Sequence, residues 1–97
     1  MATLHVENTV RDYDTWKSVF DKFDGERRDR GVRSYRVVRG HEDPNQVIID
    51  LEFDSITRAE EFREFLGRIL STPQSREQLL EHRAPVILET MEEKTLG

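Results

Sequence analysis

Gln46-Val47-Ile48-Ile49-Asp50-Leu51-Glu52-Phe53 is the stretch whose alternation decides the fold. Val47, Ile49, Leu51 and Phe53 fall on one side, and Ile48, Asp50 and Glu52 fall on the other. A period of two with one fully apolar side marks a strand that rests one face on a core. Residues 3–10 repeat the pattern, with Leu4, Val6 and Val10 opposed to His5, Glu7 and Thr9. Residues 32–39 carry it more weakly, with Tyr35 and Val37 opposed to Ser34, Arg36 and Val38. A last strand is expected from Pro85, over Val86 to about Glu92, with Ile87 and Glu89 on the face that also holds His5 and Asp50.

Between the strands the period changes. Tyr13, Trp16, Val19, Phe20 and Phe23 recur in steps of three and four, behind Asp12 and Asp14 as cap oxygens, which predicts an amphipathic helix. Gly25 loosens that helix and Gly31 ends it. A second helix starts at Ser55 or Thr57 and buries Ala59, Phe62, Phe65, Leu66, Ile69 and Leu70. Thr72-Pro73 reads as the start of a short third helix running through Leu79 and Leu80 to about His82. Gly40 to Asn45 is a polar turn.

The order strand, helix, strand, strand, helix, strand predicts an α+β protein with a ferredoxin-like βαββαβ fold. Right-handed crossovers place strands 1 and 3 in the middle of a four-stranded antiparallel sheet, with both helices on one face. At 97 residues the chain reads as a single domain, with a structured core over about residues 3–92.

Composition removes several function classes. There is no cysteine, so disulfides, thiolate metal sites and thiol nucleophiles are excluded. The net charge of −5 opposes binding to a phosphate backbone. The basic cluster Arg27, Arg28, Arg30, Arg33, Arg36 and Arg39 is interrupted by Glu26 and Asp29, so no nucleic-acid partner is expected. Residues 1–10 lack the pattern of a signal peptide, and the longest apolar run, Ala84 to Leu88, is far too short to cross a bilayer. A cytoplasmic protein with no membrane partner is the expectation.

The second sheet face concentrates polar groups. His5 and Glu7 on strand 1 and Asp50 and Glu52 on strand 3 bring one imidazole near three carboxylates, a set able to share a proton or hold a divalent cation. Their spacing fits no metal motif, so a solvated or dimer-buried polar face is the expectation, with no metal and no cofactor. No phosphate-binding glycine loop and no nucleophile elbow occur. Trp16 and Tyr35 are polar-tipped aromatics that fit either the core or a ligand wall. His82, ending the short third helix, stands where the mouth between sheet and helices is expected.

Asp12-Tyr13-Asp14-x-Trp16-Lys17-x-x-Phe20-Asp21 followed by Gly31 resembles the opening of small proteins of the dimeric α/β-barrel superfamily. Asp43-Pro44-Asn45-x-Val47, then Ala59 and Phe62, continue the likeness over about residues 4–90, and the branch it resembles is the antibiotic-biosynthesis-monooxygenase-like proteins, often labelled cyclases. The resemblance implies a homodimer whose two sheets form a shared barrel, with a pocket in each subunit between sheet and helices. It implies activities such as cofactor-free oxygenation of aromatic polyketides, polyketide cyclisation or lactone isomerisation, whereas the absence of a recognisable acid–base constellation supports a binding or structural module without chemistry.

The haem-degrading branch has an Asn on the first strand, a Trp on the second helix and a His after it. Asn8 and His82 match, whereas Phe65 stands at the Trp position, so haem degradation ranks below the other readings. The segment Leu79 to Pro85 also departs from the Gly-Val-x-x-Pro stretch common in the monooxygenase-like branch. On this reading the ligand is a small apolar or aromatic molecule. Trp16, Tyr35 and Phe65 are the candidate substrate-binding residues, and His82 and Asn8 are the candidate catalytic groups.

Overall fold

The computed structural model describes residues 1–73, 76 and 79–97. Its elements run β1 (Ala2–Val10), α1 (Tyr13–Lys22), α2 (Asp24–Asp29), β2 (Ser34–Arg39), β3 (Gln46–Phe53), α3 (Ile56–Leu70), β4 (Leu79–His82) and β5 (Val86–Glu89). The architecture is α+β and ferredoxin-like, with β1 and β3 central in the order β2-β3-β1-β4. All strand pairs are antiparallel.

Local chemistry sets each element. Asp12 caps α1, its carboxylate accepting from the Thr15 backbone N–H at 2.9 Å. Ser55 caps α3 in the same way, accepting from Arg58 at 3.3 Å. The expected loosening near Gly25 is a break at Phe23, which separates α1 from α2. Gly31 then reverses the chain with φ of 99°, a conformation glycine adopts without a Cβ penalty.

The alternation of β1 and β3 is obeyed. Ala2, Leu4, Val6 and Val10 join Val47, Ile49, Leu51 and Phe53 in one apolar layer. Trp16, Val32, Ala59 and Phe62 close over it from above, with Phe20, Phe65, Leu66 and Leu79 packed around them.

Three expectations are corrected. Among the described residues the sheet has five strands, not four, because β4 and β5 share one edge of β1. Asn8, Thr9 and Val10 pair with β4, and Ala2 to His5 pair with β5. Arg83-Ala84-Pro85 separates the two pieces, and Pro85 has no N–H to offer a ladder.

The second correction follows from the first. Residues 79–82 are strand, not the end of a short helix, so His82 lies on the sheet. Pro73 and Arg76 are helical, and the rest of the expected third helix, at 74, 75, 77 and 78, lies outside the described residues.

The third concerns the parity of the last strand. Ile87 pairs with Leu4 and packs against the core, while Val86 and Leu88 pair with His5 and Thr3 on the open face. Three consecutive apolar residues give an alternation argument nothing to distinguish their faces.

Candidate functional site

A cavity of about 90 Å³ lies between the sheet and the helices. Its floor is Val6, Asn8, Ile49 and Leu51; its roof is aromatic and aliphatic side chains of α1 and α3. Trp16, 8% exposed, and the half-buried Phe65 both line it. Trp16 sits 5.0 Å from Phe20, and Phe62 sits 5.6 Å from Phe65, in tilted and edge-on arrangements. Among the described residues, Asn8 and Arg27, with the indole of Trp16, bring the hydrogen-bonding side chains to a lining that is otherwise apolar.

Asn8 occupies an apolar position in the alternation of β1 and is 6% exposed. Its Oδ1 accepts from Nδ1 of His82 at 2.6 Å. The two residues are register partners across the β1–β4 pair. Leu80 is the extra residue of a bulge in β4, because Val10 pairs with Leu79 and Thr9 with Glu81. With Nδ1 as the donor, Nε2 of His82 carries the free lone pair of a neutral imidazole. His82 is exposed as a residue, but partial desolvation of its ring holds the imidazole below its ordinary pKa and keeps that lone pair available near neutral pH.

His82 itself lines a second, more open depression with Leu70, Arg76, Leu79, Leu80 and Glu81. Leu70 and Leu79 border both spaces. Asn8 thus reaches from the apolar cavity to the imidazole next door.

Tyr35 stands outside the cavity lining. Its ring meets Phe20 edge-on at 5.4 Å, and its hydroxyl donates to Asp24 at 3.0 Å. Of the five residues singled out in the sequence, Trp16, Phe65 and Asn8 line the cavity, His82 abuts it through Asn8, and Tyr35 buttresses its far wall.

Sequence reasoning missed Arg27, which was grouped with a surface cluster. In the fold that cluster disperses. Arg33 faces Asp54, Arg36 faces Asp50, Arg39 lies over the Tyr13 ring and Arg30 over Phe65. Arg27 alone turns inward. The signal was its place seven residues after Phe20, on the same stripe.

On the open face, His5 Nδ1 lies 2.6 Å from Asp50 and its Nε2 lies 3.5 Å from Glu7. Arg36 approaches Asp50 at 3.8 Å, Arg83 approaches Glu7 at 3.2 Å, and Thr3 donates to Glu52 at 2.8 Å. The carboxylates raise the His5 pKa, with Asp50 the main cause. Among the described residues no group of three or more His, Asp or Glu side chains has the geometry to hold a metal ion. No described helix is long and apolar enough to cross a membrane.

A ferredoxin-like sheet roofed by helices on one side, with an apolar pocket beneath them, defines the class of protein. The solved structures that share this fold carry it further. The chain is similar to a proposed antibiotic biosynthesis monooxygenase from Nitrosomonas europaea, at 14% identity and a TM-score of 0.68, over 95% of this chain and 100% of that one. It is similar to another from Deinococcus radiodurans, at 12% identity and a TM-score of 0.63, over 100% and 99% of the two chains. A dimeric ferredoxin-like protein from an uncultured marine organism matches at 11% identity and a TM-score of 0.67, over 96% of both chains. These are the kinds of protein the sequence resemblance named, and at such identities what they share with this chain is the fold. No protein-family profile matches the chain, and no curated protein sequence does.

Proposed function

We propose that the chain binds a small aromatic molecule in the cavity between sheet and helices, and acts on it as a cofactor-independent monooxygenase or cyclase. The observation that carries this reading is the 2.6 Å contact between Asn8, which lines the cavity, and His82. Asn8 fixes the imidazole tautomer, and Nε2 of His82 takes the proton of an acidic phenol or enol on the ligand. The resulting carbanion either reacts with dioxygen, a CH2 of the ligand becoming a carbonyl as one oxygen atom is kept and the other leaves as water, or adds to a carbonyl of the same molecule, whose opened π bond takes the proton back from the imidazolium. The protein's part is then to orient the ligand, exclude water and hold one proton, which the apolar walls and the Asn8–His82 pair suit. Structural neighbours described as antibiotic biosynthesis monooxygenases support the same reading.

We further propose that the working unit is a homodimer whose open sheet faces meet. One of the structural neighbours is a dimeric ferredoxin-like protein, which supports self-association.

A binding module without chemistry is the second reading, and one observation favours it. The cavity, at about 90 Å³, is well below the roughly 300–1,000 Å³ of pockets for drug-sized ligands, and His82 lies beside it rather than on its wall. A ligand larger than one ring therefore has to part Leu70 and Leu79, the residues shared with the depression at His82.

Trp16 is the single tryptophan and a cavity wall, so its fluorescence reports occupancy. Phenols, naphthols and hydroxyanthraquinones are expected to perturb it saturably. Silence across the panel up to about 1 mM, equivalent to roughly −4 kcal/mol, overturns the reading. Binding without any turnover under air leaves the binding module as the function.

A further inference from the structure

Tyr13, Trp16, Phe20 and Phe23 advance in steps of three and four along the buried stripe of α1, and the next position on that stripe is Arg27. Where the pattern asks for another apolar side chain, α2 supplies a guanidinium. It is 6% exposed and lines the cavity.

The charge there is incompletely paired. One nitrogen, Nη2, donates to the Phe20 carbonyl oxygen. The same nitrogen lies 3.7 Å from Asp24, beyond hydrogen-bond length, and that carboxylate is well exposed and already accepts from Tyr35. The Phe20 ring stacks 3.6 Å from the guanidinium carbon, and the Tyr35 ring lies 5.3 Å away. Nε has no acceptor at all, and among the described residues it is the one buried side-chain nitrogen or oxygen in that state. Burial works against the charge of Arg27, and the Tyr35 hydroxyl, Asp24 and Asp21 offset it only in part. An arginine nevertheless stays protonated, so a fixed positive charge lines an apolar space, and one of its N–H groups is unused.

We propose that the cavity is built for a ligand that carries a carboxylate on a small apolar body, with the carboxylate received by Arg27. A carboxylate is ionised at neutral pH without assistance, whereas a phenol is not. Charge-assisted bonds from guanidinium to carboxylate are among the strongest available to a protein, and they strengthen where water is excluded. Asn8 sits on the cavity floor from the central strand β1, whereas Arg27 packs with Tyr35 of β2, the edge strand two places away on the same face. Arg27 would therefore hold the acid end of the molecule and leave its other end toward Asn8 and His82. This inference rests on the cavity being the ligand site, and it adds the substrate class.

The test compares benzoate with benzyl alcohol, which matches its size without the charge. Titration calorimetry of the full chain is expected to give benzoate at least about tenfold tighter binding. The Arg27 Nε–H resonance is expected to move downfield with benzoate and to stay in place with benzyl alcohol. Arg27→Met is expected to remove the preference, so that benzoate binds no more tightly than benzyl alcohol to the same variant, and Arg27→Lys to restore part of it. If Arg27→Met does not fold, the Nε–H shift in the unmodified chain decides. Equal affinities with no movement of that resonance overturn the carboxylate inference while the cavity keeps its role. Failure of both compounds to bind overturns the cavity reading and this inference with it.

Discussion

Asn8 and His82 are separated by 74 positions in sequence, yet they are register partners whose Oδ1 and Nδ1 lie 2.6 Å apart. The contact exists because β4 pairs with the end of β1 that β5 leaves free. With Nδ1 donating to Asn8 and burial lowering its pKa, His82 is expected to titrate below 6.5 in the folded protein. An imidazole that resists protonation makes the folded state less stable as pH falls below the unfolded value. Stability from His82 is thus present above about 6.5 and lost as pH falls through its lower folded value. Histidine NMR titration checks this. A His82 midpoint above 6.5 would remove the electrostatic basis for its role as a base at neutral pH.

His5 has the opposite sign. Asp50 and Glu7 on the same face raise its pKa, while Arg36 and Arg83 temper those carboxylates from β2 and from the residue after β4. Its protonated form is favoured by folding. The stabilisation is full below about 6.5 and disappears as pH rises through the raised folded value. His5→Gln is expected to lower the melting temperature at pH 5.5 and to have a smaller effect at pH 8.5. An equal effect at both pH values would show that the ion pairs contribute nothing.

The activity proposed for the pair gives a sharper expectation. Asn8→Leu removes the acceptor for Nδ1 while keeping an apolar shape on the cavity floor. It is expected to lower kcat on a phenolic substrate by about 10²-fold, within the range for general-base groups, with a smaller change in KM. Asn8→Asp restores an acceptor and is expected to recover part of the rate. A rate unaltered in Asn8→Leu would mean that Asn8 does not position the base.

The two central strands are legible because every second residue of β3, and every second residue of β1 except Asn8, agrees on one face. Leu4, Val6, Ile49 and Leu51 each needed only their neighbours' polarity to be placed. Four-residue β4 offered no such redundancy. Leu79-Leu80 followed a Thr-Pro helix start, and the bulge at Leu80 breaks the alternation that would have marked a strand. The sequence points to His82 as the end of a short third helix at the mouth of the pocket, and the structure places it on a strand instead. Arg27 was hidden for a different reason. Charge composition reads an arginine as surface, and only the continuation of the Phe20–Phe23 stripe through a helix break points it inward.

Phe62 ties α3 to the sheet. It is buried, with ring centroids 5.5 Å from Phe53 and 5.6 Å from Phe65. Phe62→Ala leaves a void beneath α3 and is expected to destabilise by about 3–5 kcal/mol. Against a total of roughly 5–15 kcal/mol for a domain, much of the population unfolds under mild denaturant. Urea titration checks it, and a loss below about 1 kcal/mol would show that the cavity beside Phe62 collapses freely.

The open face of the sheet sets the last expectation. Val38, Val86 and Leu88 are exposed there, on the face that carries the His5, Asp50 and Glu7 network. Charges of both signs lie among them, so two copies related by a two-fold axis can set Arg36 and Arg83 against carboxylates while covering the apolar side chains. Light scattering at micromolar concentration is expected to return about twice the 11.5 kDa of one chain. Val86 pairs directly with His5, so Val86→Glu adds a third carboxylate to the network and buries it at the centre of the interface. That variant is expected to run as a single chain with its β1–β3 core intact by circular dichroism. If the unmodified chain stays at 11.5 kDa, the face is solvated; if Val86→Glu remains a dimer, the two copies meet elsewhere.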